Sequence, residues 1–453
     1  DRLFDPSTGS GELIMPFVKH ISAALFAVVS FATPLRAEIQ IQPVLSPNGH
    51  SAWLVEDHSI PFVALDIRFE GGTNLDEPGK RGATYMMTGL LEEGVGDLTA
   101  QGFAEAVQGL AAEFSFSSYR DTVAISARML TENRDAAAAL LHEALSNPRF
   151  DADAIERVRG QIQSILASQA QDPNAIAGQT FNALAFGDHP YASAEEGTPD
   201  SIASLTHDDL ITAHRNALVT SRVSIGASGD ITAEELGDLI DRLLEGLPPT
   251  GPALPSMAGF SPNTRQAVID YPSPQSVILF GMEGIAMDDP DFFPAFVLNE
   301  IIGGGFRARL MEELRVKRGL TYGVGTSLST ADWQPMWLGQ FSSSNATVGQ
   351  ALELVDQILR DVAETGVTDE ELLRAKRYMT GAYPLRFDGN GSIAGIMAGM
   401  QQSEMPIDYI ANRNAFVEAV TSEDIARVAK RLLDVDKMLT VVVGQPEGLN
   451  TAP

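Results

Sequence analysis

One pattern constrains this 453-residue chain more than any other, because it occurs twice. The stretch NRDAAAALLHEALSNPRFDADAIERVR (133–159) reads as a helix, a short loop and a second helix with an acidic start. TVGQALELVDQILRDVAETGVTDEELLRAKR (347–377) reads the same way, with Arg157 and Arg374 at matching places 217 residues apart (374 − 157). A period that long is not that of a solenoid repeat, so it marks a duplicated domain. In both copies Asp or Thr-Asp leads the second helix and offers an oxygen to the free N–H groups of its first turn.

The flanking segments keep the same order. Each copy opens on strand pattern, SAWLVEDHSIPFVALDIRFEGG (51–72) and RQAVIDYPSPQSVILFGMEG (265–284). A helical stretch with a glycine turn follows, then more strand pattern, then the long amphipathic helix. EGLPPTGPALPSMAGFSPNTRQ (245–266) gathers Pro, Gly and Ser between the copies and reads as a linker. The expectation is an α+β protein with domains at 38–244 and 267–453, each a mostly antiparallel sheet with helices packed on one face.

Charge and composition narrow the function. Sixty acidic against 31 basic residues give a net charge of −29, which argues against general binding to nucleic acid or anionic lipid. The absence of cysteine rules out disulfides, thiolate zinc sites and cysteine nucleophiles. Any metal must be held by His, Asp or Glu, and the seven histidines (His20, His50, His58, His142, His189, His207 and His214) include no pair four apart. Residues 1–14 read as upstream of the protein proper. Residues 15–37 read as a secretory signal: a positive start, the apolar run ISAALFAVVSF (21–31), and ATPLRA ending on Ala37. The run is well short of the ~20 residues that span a bilayer, so cleavage near Ala37 and a periplasmic location without a membrane anchor are expected.

Two stretches carry a resemblance. The first is GGTNLDEPGKRGATYMMTGLLEEG (71–94). The second, more diagnostic, is LNEIIGGGFRARLMEELRVKRGLTYGVGTSLS (298–329), with Gly303-Gly304-Gly305-Phe306, Arg309-Leu310, Leu314-Arg315 and Arg318-Gly319-Leu320-Thr321-Tyr322 in sequence. With this order and spacing the chain resembles the M16 (pitrilysin, insulinase-like) zinc peptidases in their mitochondrial-processing-peptidase-type branch. The likeness covers nearly all of the chain after residue 37, and it implies two such domains forming half of a clamshell.

In active members of that family an inverted motif, H-x-x-E-H, sits in the first half. Two histidines grip zinc from one helix face, the glutamate takes a proton from metal-bound water, and a later glutamate completes the coordination. Alignment on Gly82 puts Tyr85, Thr88 and Gly89 at the three motif positions and Ile165 at about the later ligand. Phenol, hydroxyl, hydrogen and alkyl replace imidazole and carboxylate, so no zinc is expected in this chain. Elsewhere, Glu92 and Glu93 read as a solvated helix end, His142 as a structural histidine, and the loop around His189 as structural. His207 and His214 share one helix without a carboxylate partner. No G-x-S-x-G elbow or P-loop lysine offers other chemistry.

The resemblance also implies what is kept. Arg315 and Tyr322 stand where active relatives hold an Arg/Tyr pair that orients the peptide and donates to its carbonyl as it becomes an oxyanion. The plainer alternative pairs Arg315 with Glu312 or Glu313 and half-buries Tyr322 in a strand. Gly303, Gly304 and Gly305 would form a flexible loop that meets an extended peptide, or else merely allow a tight helix connection. The strand FVALDIRFEGG (62–72) corresponds to the edge on which relatives lay substrate. In the two-subunit branch one chain brings zinc and the other the Arg/Tyr pair. The expectation is therefore a non-zinc subunit that completes a peptide chamber with an H-x-x-E-H-bearing, zinc-holding partner; the alternative is an inactive scaffold or peptide-binding protein.

Overall fold

The computed structural model describes residues 39–449, so the upstream and signal-peptide readings lie outside the described residues. From Ile39 onward the chain is one compact unit built around two sheets. Its first half runs β1 (Gln42–Leu45), β2 (Ser51–Glu56), β3 (Phe62–Glu70), α1 (Ala83–Leu90), the small hairpin β4 (Gly94–Val95) and β5 (Leu98–Thr99), and α2 (Ala100–Gly109). It continues through β6 (Glu113–Ser118), β7 (Thr122–Leu130), α3 (Arg134–Ser146), α4 (Ala152–Gln169), α5 (Pro173–Phe186), α6 (Pro199–Ser204), α7 (His207–Ala217), β8 (Val223–Gly229) and α8 (Ala233–Leu244). The second half runs β9 (Gln266–Asp270), β10 (Gln275–Glu283), α9 (Phe292–Asn299), β11 (Val324–Ser329), β12 (Met336–Ser344) and α10 (Val348–Thr365). It ends with α11 (Asp369–Ala382), α12 (Asn390–Gln402), α13 (Tyr409–Ala419), α14 (Ser422–Leu432) and β13 (Leu439–Gly444).

The sheets state the duplication in hydrogen bonds. The first has the order β1-β2-β8-β3-β7-β6 and the second β11-β12-β10-β13-β9. With β1 set aside, the second is the first read backwards, strand for strand. Each has a single parallel pair in the same place, β2 with β8 and β13 with β9. The two helix pairs of the repeat are α3–α4 and α10–α11. Their second helices start differently. Thr368 makes a reciprocal cap with Glu371, whereas Asp151 makes no side-chain cap bond and pairs instead with Arg149 at 2.8 Å.

Helices do not keep to their own half. The strands β13 (LTVVVG) and most of β8 are buried at successive residues, which requires cover on both faces. On β13 the second cover is α5 from the first half, whose Ala177, Phe181 and Ala185 form a core with Val441 and Val443. On β8 it is α12 from the second half, which approaches so closely that a Cβ on Gly226 would lie 2.1 Å from Ala394 O. Helices on a single face describe only part of each sheet.

One expectation is corrected outright. The segment 62–72 was assigned to a substrate-receiving edge, but β3 lies inside the sheet, bonded along its length to β7 and β8. The edge on that side is β6.

Candidate functional site

The helix α1, which carries Tyr85, Thr88 and Gly89, is anchored from outside itself. Gly82 precedes α1 at φ 88°, a conformation open to glycine, and cannot cap with a side chain. Asp76 does so instead: Oδ2 accepts from Gly82 N (2.8 Å), and Oδ1 from Thr84 N (2.8 Å) and Thr84 Oγ1 (2.6 Å). Asp76 is only 7% exposed, and burial outweighs these bonds and the Arg81 charge, raising its pKa to about 6. The folded state therefore binds this proton more tightly than the unfolded chain does. The contribution is fully present below about pH 4 and is lost as pH rises toward 6. Relative to Asp76→Asn, the wild type should lose about 2 kcal/mol of unfolding free energy between pH 4 and 6. Urea titrations of both proteins across that range check this.

The four residues that the resemblance puts at the family's zinc positions do not fit the metal. Tyr85 is half-buried on α1, and burial together with Glu196 and Glu195 pushes its phenol away from ionisation. Thr88 is buried and its Oγ1 donates to Thr84 O at 2.8 Å. Gly89 faces the Val158 methyl, which would lie 3.6 Å from a Cβ. Ile165, on α4, is 38% exposed.

Other candidate ligands are occupied as structure. His214 is buried with Nε2 2.7 Å from Leu145 O, and His142 Nδ1 lies 3.4 Å from Leu243 O. His189 accepts from Tyr191 N at Nδ1 (3.1 Å), with Nε2 3.0 Å from Ser256 O. Glu93 is no free helix end, since it accepts from Arg157 of α4. Among the described residues no three His, Asp or Glu side chains gather as metal ligands.

The second-half motif separates into residues that build and residues that project. Leu310, Leu314 and Leu320 are core. Arg309 forms a two-pronged bridge to Glu371 of α11 (2.6 and 2.7 Å); against the upward push of burial, this bridge and the Thr368 bonds hold the Glu371 pKa at about 2. Buried Asn299 ties the strands behind the motif: its Oδ1 accepts from Thr326 Oγ1 (2.8 Å) and Trp337 Nε1 (2.9 Å). Sequence reading passed over Asn299, although a lone amide in the apolar run FFPAFVLNEII signals a buried polar contact.

Gly303 and Gly304 differ from expectation. They lie in a widened helical turn, Glu300–Gly304, that continues α9, and only Gly305 is extended. A Cβ on Gly303 would lie 2.4 Å from Thr326 Oγ1, and one on Gly304 2.4 Å from Glu300 Oε2. The glycines permit close packing of a helix end rather than a flexible loop. Gly303 and Gly304 still line a groove of about 800 Å³ with Tyr322, Gly323 and edge strand β11.

Arg315 and Tyr322 project. Of the two expected partners of Arg315, Glu313 is taken by Lys317 (2.6 Å) and Arg318 (2.5 Å), and Glu312 makes no ion pair with it among the described residues. Arg315 instead lies 5.3 Å from the ring centre of exposed Phe306. Tyr322 is 84% exposed, held on a turn that Thr321 closes through Gly323 N and O (3.1 and 2.8 Å). Ser343 Oγ donates to Leu320 O (2.7 Å) at the base of that turn. Among the described residues, neither Arg315 nor Tyr322 has a side-chain hydrogen bond or ion pair within the chain. The plainer alternative for this pair therefore finds no support in the geometry.

These features define a duplicated α+β protein with, among the described residues, no cluster of metal-ligating side chains. The description "Insulinase (Peptidase family M16)" matches residues 52–198, and "Peptidase M16 inactive domain" matches residues 204–379. A crystal structure described as a peptidase M16 inactive domain from Pseudomonas fluorescens superposes with a TM-score of 0.84 at 28% identity, covering 91% of this chain and 99% of that one. The non-peptidase homolog YmxG of Helicobacter pylori is 27% identical over 332 residues, 73% of this chain and 77% of that protein. An uncharacterized zinc protease of Streptomyces coelicolor is 25% identical over 399 residues, 85% of each. The chain belongs to the M16 peptidase family. Within it, this is a homologue without the peptidase zinc site.

Proposed function

We propose that this chain is the non-zinc subunit of an exported, heterodimeric M16 peptidase. It completes the peptide chamber and lends Arg315 and Tyr322 to the zinc site of an H-x-x-E-H-bearing partner. The observation that carries this reading is the freedom of the two side chains: among the described residues neither is held by a hydrogen bond or ion pair, Tyr322 stands exposed on the lining of a groove that an extended chain can enter, and Arg315 is exposed with the Phe306 ring beside it. In the assembled enzyme Tyr322 donates its O–H to the scissile carbonyl oxygen as negative charge develops there. Arg315 bonds a backbone carbonyl of the peptide and fixes its register. Water activation belongs to the partner, since Tyr85, Thr88, Gly89 and Ile165 give this chain no means of it. Gly303 and Gly304 form part of the groove wall that the peptide meets.

The test is association. Mixed with an H-x-x-E-H-bearing M16 chain, the protein should sediment as a 1:1 complex, burying on the order of 1,600 Å² or more as stable interfaces do. Two independent species at micromolar concentration contradict the reading.

A further inference from the structure

A second cavity, of about 980 Å³, opens where the two halves meet, and it shares no lining residue with the groove at Tyr322. Arg68, Arg120, Asp121 and Glu195 come to it from the first half; Asp332, Arg386 and Arg413 come from the second. Most of these charges already have partners. Arg68 pairs with Asp66 (2.7 Å), and Glu195 lies 3.8 Å from Arg120. Asp121 accepts from Tyr191 Oη (2.7 and 2.8 Å), Asn74 Nδ2 (2.7 Å) and Asp332 N (3.2 Å).

Arg413 is different. It is 5% exposed, yet its hydrogen bonds are to neutral acceptors only: Nη1 donates to Met379 O (2.8 Å) and Asn414 Oδ1 (3.0 Å). Its guanidinium carbon lies 4.5 Å from the ring centre of Tyr383 and 5.4 Å from that of Phe296. Among the described residues no carboxylate is within ion-pair distance of Arg413 or of Arg386, whose positive charge acts on it. A buried charge is ordinarily paired. Here a buried cation without a counter-ion, with the exposed Arg386 beside it, lines an aromatic-walled cavity of the size that holds small ligands.

We propose that this inter-half cavity binds an organic carboxylate, the acid group seated on Arg413 and Arg386 and the apolar body against Phe296 and Tyr383. The planar fork of arginine matches the two oxygens of a carboxylate, and the aromatic walls select an acid with an apolar body over a small inorganic anion. The ligand is a free organic acid or the C-terminal carboxylate of a short peptide, since both present the same chemistry.

Isothermal titration of the full chain tests this with 3-phenylpropionate, its amide, N-acetyl-alanyl-phenylalanine and inorganic phosphate. One saturable site for the acids at about 1 mM or below is expected, with no response to the amide. Arg386→Gln, at an exposed position, should fold normally and weaken binding about 10-fold, while Arg377→Gln on α11 leaves it unchanged. Arg413→Lys, which keeps the charge but loses the fork, should weaken it too. Tighter binding of the peptide identifies a peptide C-terminus as the ligand, and tighter binding of phenylpropionate a free acid; either supports the site. Equal binding of acid and amide, binding of phosphate alone, no saturable binding, or unchanged affinity in both Arg386→Gln and Arg413→Lys overturns it.

Discussion

Replacing Tyr322 by Phe is expected to lower kcat of the assembled peptidase by about 10²–10³-fold, the range for removing one preorganised donor to an oxyanion. The substitution removes a single hydroxyl. Among the described residues that hydroxyl has no hydrogen-bond partner, and the ring is 84% exposed. Stability should therefore stay within about 0.5 kcal/mol of the wild type, as for surface changes generally. Association with the partner and KM should change little, because the donor acts when the carbonyl oxygen gains charge and not before. Steady-state kinetics of the complex, with a thermal melt of the free subunit, separates this outcome from a structural one. Equal losses in kcat and melting temperature would mean that Tyr322 holds the turn together and does no chemistry. Arg315→Lys should raise KM more than it lowers kcat, since it keeps the charge but loses the fork that fixes the peptide backbone.

The second large effect lies far from the groove. Gly226→Val is expected to destabilise the chain by about 3 kcal/mol or more, at the upper end for forced overpacking. The site is inside β8, under the backbone of α12, where a Cβ would lie 2.1 Å from Ala394 O and 2.9 Å from Ala398 N. Backbone cannot yield as a flexible side chain can, so the helix must lift. Lifting it breaks the bonds that tie the halves together, Gln401 Nε2 to Ile225 O (2.7 Å) and Arg68 Nη2 to Gly395 O (3.0 Å). Urea denaturation measures the loss. Gly160→Ala is the control: it sits in the interior of α4 with nothing within 4 Å of its added Cβ. It should gain roughly 0.5–1 kcal/mol from helix propensity. A Gly226→Val protein as stable as the wild type would mean that α12 does not dock on β8 as described.

The duplicated plan was legible because helix periodicity is local, and 133–159 and 347–377 repeat it in full. The expectation that Tyr85, Thr88 and Gly89 stand at zinc-ligand positions rests on the same local logic, a register set by Gly82 and the helix that follows. What escaped was long-range. Nothing near FVALDIRFE shows that β8, some 150 residues later, inserts between β2 and β3 and makes β3 internal. The exchange of α5 and α12 left a trace, since LTVVVG is apolar at nearly every position and so needs two covers. That trace does not say where the second cover comes from. Glycine punctuates chains, so by sequence alone the triple glycine reads as a loop. At Gly303 its reason is a neighbour, Thr326, more than twenty residues away. Within the second motif, the sequence alone could not separate Arg309, which bridges to Glu371, from Arg315, which has no such partner.

The most direct test of the account is zinc content and peptidase activity of the chain from Glu38 onward, alone and mixed with its H-x-x-E-H-bearing partner. The account predicts no stoichiometric zinc and no activity alone, with activity on mixing that falls sharply in the Tyr322→Phe protein. Stoichiometric zinc in the lone chain, or a confirmed complex without activity on any peptide, would contradict it.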